Sequence, residues 1–394
     1  MSTFEGPMLS LKNVNAVAHY TDWIIAHVHV GALGWNGFLT FGMLYWLVPR
    51  IFNTKLYSIK WANTHFLIGT IGILLYAIPL YWASFSQSLM WKEFTAEGQL
   101  KYQFLETVTR IIPMYILRGL GGLVYLAGAV LMVVNLFKTI KSGNLLVEEY
   151  AEAPSLESIP LPAGKQFWHS AIERRPIRML VVSLVVVVIG GAIELVPTFL
   201  IDENIPTIST VKPYTPLELQ GRDIYIREGC YNCHSQMIRP FRDEVARYGD
   251  YSKSGEFIYD HPFQWGSKRT GPDLAREGGK YSNSWHFRHM NAPEEISQGS
   301  IMTPYPWLLD DDLDTSSTPV KIRAMQTLGV PYAKGFDEKA NADLRAQAEE
   351  ITADLKANKI KANSHKEIIA MIAYLQRLGT DLKKAPEKDV KNLH

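Results

Sequence analysis

Residues 179–200 read MLVVSLVVVVIGGAIELVPTFL, with a single acid, Glu194, near the far end. A bilayer core about 30 Å thick is crossed by about 20 apolar residues in a helix, so this stretch reads as a membrane span. The basic run ERRPIR, residues 173–178, stands directly before it. Upstream, three further stretches are long and apolar enough, approximately Trp23–Val48, Phe66–Phe85 and Ile111–Phe137. These three carry more aromatics, glycines and polar residues, which suits members of a bundle that face protein rather than lone anchors.

Basic residues in the short connections set the orientation. Lys and Arg collect after the first span (PRIFNTKLYSIK), after the third (KTIKSG) and before the fourth (ERRPIR), whereas the loop from Ser86 to Arg110 mixes both signs. The positive-inside rule then puts the chain start outside, the linker from about Lys138 to Arg178 in the cytoplasm, and everything beyond Ile201 outside. Met1 is followed by STFEGPMLSLKNVN, which lacks the basic and apolar regions of a signal peptide and reads more like an internal connection than a natural beginning. The last third of the chain is polar, charged and rich in turn residues, so a membrane segment is joined to a soluble one. With 394 residues there is room for two or three domains, and a formal charge of +1 gives no reason to expect a nucleic-acid partner.

The only two cysteines fall in the outer part, in YIREGCYNCHSQMIRP, residues 225–240. A disulfide across so short a loop would stabilise little. Cys230-Tyr231-Asn232-Cys233-His234 is instead a complete C-x-x-C-H, in which two thiols form thioethers to haem vinyl groups and the next histidine binds the iron. A redox dithiol is the competing reading. The iron needs a sixth ligand, and a methionine raises the reduction potential. Downstream candidates are Met237, Met290, Met302, Met325 and Met371. Met237 is too near His234 to reach across a haem plane. Met302 sits in the Pro-containing loop GSIMTPYPWL, Met371 on an amphipathic helix where a core role is expected, and Met290 beside His286 and His289. In RTGPDL, Arg269 to Leu274, a Gly-Pro turn offers a backbone carbonyl to orient His234 through its other ring nitrogen. The terminal helix, about His365 to Leu378, is expected to pack on the helix entering the cysteine motif, and Asp337 to Lys361 to be an exposed helical insertion.

The run from Gly221 to Ser282, GRDIYIREGCYNCHSQMIRPFRDEVARYGDYSKSGEFIYDHPFQWGSKRTGPDLAREGGKYS, resembles the mono-haem cytochrome c subunit of cbb3-type cytochrome c oxidases. The preceding ERRPIRMLVVSLVVVVIGGAIELVP resembles that subunit's membrane anchor, and the likeness extends from about Phe167 to Leu378. It implies haem c held covalently at Cys230 and Cys233, with His234 and Met302 as the axial pair.

Histidines inside a membrane span are expensive and read as functional. His27 and His29, in DWIIAHVHVGALGW, stand two residues apart, which on a helix is about 200° of rotation, so their rings point to opposite faces. That spacing does not suit one shared metal; it suits a helix wedged between two cofactors. STFEGPMLSLKNVNAVAHYTDWIIAHVHVGALGW resembles the tenth helix region of the cbb3-type haem-copper catalytic subunit, and the next two spans resemble its last two helices. The resemblance implies His27 as the ligand of haem b3 and His29 as one ligand of haem b. Glu5, His19, Tyr20 and Asp22 lie at the outer entrance of this helix, where haem propionates are expected but polar interface residues are also common, so each is a weaker candidate for a propionate, ion or proton role; Arg118 is placed to pair with a propionate or to snorkel to the interface. Trp35, Trp46, Trp82 and Trp91 read as interfacial or packing aromatics.

The expected fold is mainly α. Residues 1–140 form three helices of a haem-copper oxidase bundle, 141–177 a cytoplasmic linker, 178–201 the anchor and 202–394 an all-α, class I-like cytochrome c domain in the periplasm of a bacterial inner membrane. The resemblance implies a component of a terminal oxidase that reduces oxygen to water with proton pumping, with copper only in the full complex, because three copper-binding histidines, a second haem b ligand and a cross-linked tyrosine are missing. Implied partners are the remaining helices of the catalytic subunit, a dihaem cytochrome c subunit, a small membrane subunit and a soluble cytochrome c or other donor. Two rivals stand beside this reading: a nitric oxide reductase component, and an anchored electron carrier without oxidase activity.

Overall fold

The computed structural model describes residues 2–147, 168–201 and 207–384, so most of the expected cytoplasmic linker lies outside the described residues. Helices α1 (Ser2–Ser10) and α2 (Lys12–Ala18) precede a sharp turn, after which α3 (Asp22–His29), a π-helical stretch (Val30–Gly37) and α4 (Phe38–Ile51) run on as one path. Next come α5 (Ile59–Lys92), α6 (Phe104–Lys141), the short α7 (Trp168–Glu173) and α8 (Pro176–Leu200). The polar part contains α9 (Pro216–Arg227), α10 (Arg242–Tyr248), α11 (Asn283–Asn291), α12 (Pro293–Ile296), α13 (Trp307–Asp310), α14 (Thr318–Thr327), α15 (Phe336–Ala357) and α16 (Glu367–Arg377). Among the described residues no strand occurs, only isolated bridges such as Tyr20 to Lys268.

All four expected spans are helical, and α5, α6 and α8 are each long and apolar enough to cross a membrane. Both α5 and α6 are longer than the sequence expectation. At 34 and 38 residues they extend about 51 and 57 Å, well beyond a hydrocarbon core of about 30 Å. Both helices open on polar caps. Ser58 accepts from the Trp61 amide at the start of α5, and the side chain of Glu106 accepts from the Gln103 amide at the start of α6. These two helices cross at glycine: a Cβ on Gly72 would lie 2.6 Å from the Tyr125 nitrogen, and one on Gly121 2.6 Å from the Tyr76 nitrogen. Backbone contact of this kind is how membrane helices associate where hydrophobic burial gives no driving force. At the far end, buried Asn135 accepts from the Ser58 amide (3.0 Å) and donates to the Ser58 carbonyl (2.9 Å), which pins the α4–α5 connection.

The π-helical stretch is not what apolar periodicity suggests, which is an uninterrupted α-helix. Its sequence, VGALGWNG, has three glycines, and the widened turns release the Leu33 carbonyl, to which the Tyr125 hydroxyl donates at 3.2 Å. A Cβ on Gly37 would stand 2.8 Å from that hydroxyl oxygen. Unlike these helices, α8 is exposed along nearly its whole length, as a helix surrounded by lipid must be.

In the polar part, α9 opens on Thr215 with a reciprocal Thr215–Glu218 cap and Pro216 in its first turn. It packs on α16, whose residues 367–375 are all buried, at a crossing so close that a Cβ on Gly221 would sit 1.9 Å from the Ala370 carbonyl oxygen. The expected pairing of the terminal helix with the helix entering the cysteine motif is therefore present. One expectation needs correction. The segment 337–361 is not simply an exposed insertion, because Leu344, Ala348 and Leu355 of α15 are buried in the same core as α9 and α16. Its alanines let a charged helix bury one narrow stripe while the other faces stay in water.

Candidate functional site

The cysteine motif follows directly from the end of α9. Gly229 turns the chain in a left-handed conformation (φ 69°) that favours glycine, and a 3₁₀ turn over Cys230–Asn232 follows. The amides of Cys233 and His234 both donate to the Cys230 carbonyl, at 3.1 and 2.9 Å, so both thiols and the imidazole are displayed from one turn. No disulfide joins the two cysteines; Cys230 is half-buried and Cys233 exposed. Burial, with Glu228 nearby, pushes the Cys230 thiol up to about 12, which keeps it protonated at neutral pH.

His234 is fixed from the opposite side. Its Nδ1 is 2.8 Å from the Pro272 carbonyl oxygen, the orienting contact expected of the Gly-Pro turn. The Gly271 amide donates to the Cys233 carbonyl at 2.9 Å. Only glycine fits here, since a Cβ at position 271 would stand 2.2 Å from His234 Cε1. Burial holds the imidazole below its ordinary pKa, which keeps it neutral and its Nε2 free as a donor. Two thiols on one turn and a neutral imidazole held at Nδ1 fit a covalently attached haem.

The five downstream methionines separate by burial. Met371 is wholly buried in the core shared by α9 and α16, Met290 lies in the same core, and Met325 belongs to a second cluster with Leu219 and Ile322. Met237 is tied by its amide to Asp273 (2.9 Å). Met302 is half-buried at the edge of the core that Cys230 also contacts. Its loop is drawn to the cysteine motif by Trp307, whose indole N–H donates to Glu228 at 3.1 Å. Beside it on α11, His286 Nε2 and His289 Nδ1 are buried without a hydrogen-bond partner.

In the membrane part, His27 and His29 both lie on α3, before the π-helical stretch, so the regular helical rotation between them holds. His27 Nδ1 is 3.1 Å from Glu5 Oε2, and His29 Nδ1 is 2.8 Å from the Ile25 carbonyl oxygen. Each thus presents Nε2, as His234 does. They meet different neighbours: His27 meets Glu5 of α1, while the His29 ring lies 4.7 Å from that of Tyr76 on α5. Glu5 is buried and also accepts from the Trp23 indole (2.6 Å) and the Tyr81 hydroxyl (2.8 Å). A carboxylate on the distal nitrogen fixes ring orientation and raises ligand basicity.

The other polar residues at the outer entrance do not act as one group. Asp22 is fully buried and accepts from Gln87 Nε2 and the Tyr115 hydroxyl, both at 2.8 Å. His19 stacks on Tyr20 with 4.0 Å between centroids, and burial together with Arg239 and Arg269 lowers its pKa to about 4. Arg118 lies over the rings of Tyr115 and Tyr76, at 5.3 and 5.7 Å. Of the four tryptophans expected at interfaces or in packing, Trp91 is buried and Trp35, Trp46 and Trp82 are exposed.

Sequence reading passed over three features. Gly271 carries no chemistry and is recognisable only from the ring that it accommodates. Arg269 is nearly fully buried, at the start of the RTGPDL turn singled out for a backbone carbonyl. His65, on α5, is buried with Nδ1 3.1 Å from the Tyr45 hydroxyl and Nε2 unpartnered, and it stands one residue before the expected second span. The signal for His65 was in the sequence, because a histidine beside a long apolar run is costly to bury.

Comparison with known proteins divides the chain in two. Residues 169–382 match the family model described as cytochrome c oxidase, mono-haem subunit/FixO, and residues 1–124 match that described as cytochrome c and quinol oxidase polypeptide I. Cytochrome c oxidase subunit 1 of Rhodobacter capsulatus is 51% identical over 157 residues, 39% of this chain and 30% of that protein. A cytochrome c oxidase subunit 1 homolog of Agrobacterium tumefaciens is 50% identical over 141 residues, 36% and 26% of the two chains. The cbb3-type cytochrome c oxidase subunit CcoN1 of Stutzerimonas stutzeri is 43% identical over 145 residues, 36% and 31%. The chain spans less than a third of the length of each of these relatives.

Proposed function

Because the chain belongs to the FixO family of mono-haem cytochrome c oxidase subunits and joins to it a stretch of polypeptide I, we propose that it carries electrons inward through an outer haem c to a haem pair in the membrane. It is a membrane protein and a component of a multi-subunit cbb3-type oxidase. In the proposed assignment, residues 1–140 are bundle helices, 141–177 a cytoplasmic linker, 178–201 the anchor and 202–394 a periplasmic cytochrome domain. Cys230 and Cys233 attach haem c, and His234 and Met302 bind its iron. His27 serves haem b3 and His29 haem b. When bound, these groups pass electrons to the b3-copper centre, where oxygen is reduced to water with proton pumping.

One observation carries the reading. His27, His29 and His234 each have Nδ1 engaged by an oxygen and Nε2 left as the donor, from Glu5, Ile25 and Pro272 respectively. This polarity is what a ligating imidazole needs, and it is shared by His65, whose Nδ1 lies 3.1 Å from the Tyr45 hydroxyl with Nε2 unpartnered. The chain's own work is to bind and orient: the 3₁₀ turn displays the thiols, the Gly-Pro turn holds His234, and α3 directs two imidazoles to opposite faces. The copper-binding histidines are supplied by the remaining helices of the catalytic subunit, so the chain alone does not reduce oxygen. A dihaem cytochrome c subunit, a small membrane subunit and a soluble cytochrome c or similar donor complete the proposed assembly.

The test is a pyridine haemochrome spectrum of the chain purified from its native membrane, with haem c and haem b counted per chain. Haem b alongside haem c is the expected result. Haem c alone would replace the oxidase reading with that of an anchored electron carrier.

A further inference from the structure

Among the contacts between the polar body and the ends of the membrane helices is one short segment that also holds His234. Lys268 and Tyr20 form an isolated parallel bridge, and the Arg269 amide donates to the Tyr20 carbonyl at 2.9 Å. Tyr20 is fully buried in a left-handed conformation (φ 69°), costly for a residue with a side chain, which aims that carbonyl at the polar body. The Arg269 guanidinium lies 4.1 Å from the Tyr20 ring centroid. It also donates to Ser235 Oγ (2.7 Å), the Met237 carbonyl (2.8 Å), Glu244 (3.0 Å) and Asp273 (3.1 Å). Three of these acceptors lie within one to three residues of His234 or on the turn that fixes it.

Lys268, one position earlier, reaches the other way. Its ammonium stands 3.2 Å from Asp22 Oδ1, with Lys268 mostly and Asp22 wholly removed from water. Asp22 is in the first turn of α3, five residues before His27 and seven before His29. Gln87 and Tyr115 supply its neutral partners, while the paired cation comes from the other body. A buried carboxylate that loses its cation is left uncompensated, so this contact favours the docked arrangement strongly. Further contacts align the two bodies: Arg247 donates to the carbonyls of Tyr102 and Trp91, and Arg239 to that of Asn15.

We propose that residues 268–272 are a latch, closed by Lys268 on Asp22, that holds the His234 turn at a fixed position over the helix carrying His27 and His29 and thereby sets the rate of electron exchange between them. The inference rests on the functional reading above. Lys268 and Asp22 are positioning residues in it: they touch neither iron, and one electron passes from reduced haem c to oxidised haem b without bond making. Electron exchange without bond making falls off with the separation of the centres, so a tethered domain no longer registered to its acceptor loses rate.

The assembled complex is the material for the test. Lys268→Met, Asp22→Asn and the double variant are compared for haem b and haem c content, haem c reduction potential and electron exchange after carbon monoxide photolysis of the half-reduced enzyme. Each single variant is expected to slow exchange about tenfold or more with haem content and potential unchanged. The double variant should be no slower than the slower single, because both remove one contact. Lys268→Arg, which keeps the charge, should restore the rate. Amide hydrogen exchange at Arg269 and Gly271 should speed up in Lys268→Met. Wild-type exchange rates in Lys268→Met with both haems present overturn the latch and leave the functional reading standing. A double variant in which the two effects multiply also overturns it. A wild-type complex without haem b overturns the functional reading itself and, with it, the role of the latch in electron exchange.

Discussion

A methyl group on Gly271 would stand 2.2 Å from Cε1 of His234 and 2.6 Å from its Nδ1. The imidazole therefore occupies the space of a missing side chain, and its direction is set by backbone on both sides. Gly271→Ala is expected to push the ring off the Pro272 carbonyl, at a packing cost of about 1–3 kcal/mol. The holoprotein should then show a shifted haem c reduction potential and an altered visible spectrum. A variant with wild-type potential would show that the ring is not held in this way.

Replacing Met302 and Met290 separately discriminates between a ligand and a core residue. Met302→Leu should lower the haem c potential and change its ligand-sensitive absorption, since methionine ligation raises the potential. Met290→Leu, a volume-conserving change in a buried cluster, should leave the spectrum alone and cost less than about 1.5 kcal/mol.

The crossing of α9 and α16 depends on one glycine. Gly221→Ala would place a Cβ 1.9 Å from the Ala370 carbonyl oxygen, against rigid backbone. A loss of about 3 kcal/mol or more is expected, seen as a lower midpoint when unfolding is followed by haem c absorbance. Gly190→Ala, in α8, meets nothing within 4 Å and should leave that midpoint in place.

Acid should weaken the polar body through His286. Burial, with His289 nearby, lowers its pKa to about 4, against 6.5 in the unfolded chain. The folded state thus prefers the neutral ring. Its contribution is fully present above pH 6.5 and is lost as pH falls from 6.5 towards 4, because the unfolded chain takes up the proton first. The stake is about 3 kcal/mol, and His286→Phe should flatten the stability profile across that window. An unchanged slope in the variant would assign the acid sensitivity to other groups.

Much of this molecule is legible without coordinates, because the relevant signals are local. The apolar run 179–200 had to be a helix, since a membrane leaves backbone groups no partner except each other. C-x-x-C-H needs only five adjacent residues, and the opposite facing of His27 and His29 follows from helical rotation alone. Even the Pro272 carbonyl was foreseeable, because a Gly-Pro turn frees an acceptor.

What only the tertiary structure decided are relations between residues far apart in the chain. Glu5 on His27 spans 22 positions, and Lys268 on Asp22 joins segments 246 positions apart. Neither pairing has a sequence spacing that fixes it. The same holds for α15, whose alanine-rich sequence does not say that a narrow stripe is buried, and for the π-helical stretch, whose glycines permit wide turns but do not foretell the Tyr125 hydroxyl that donates to its Leu33 carbonyl. The physical reason is common to all of them. Burial removes water as the default partner of every polar group, and which replacement a group finds depends on what packing brings within hydrogen-bond reach.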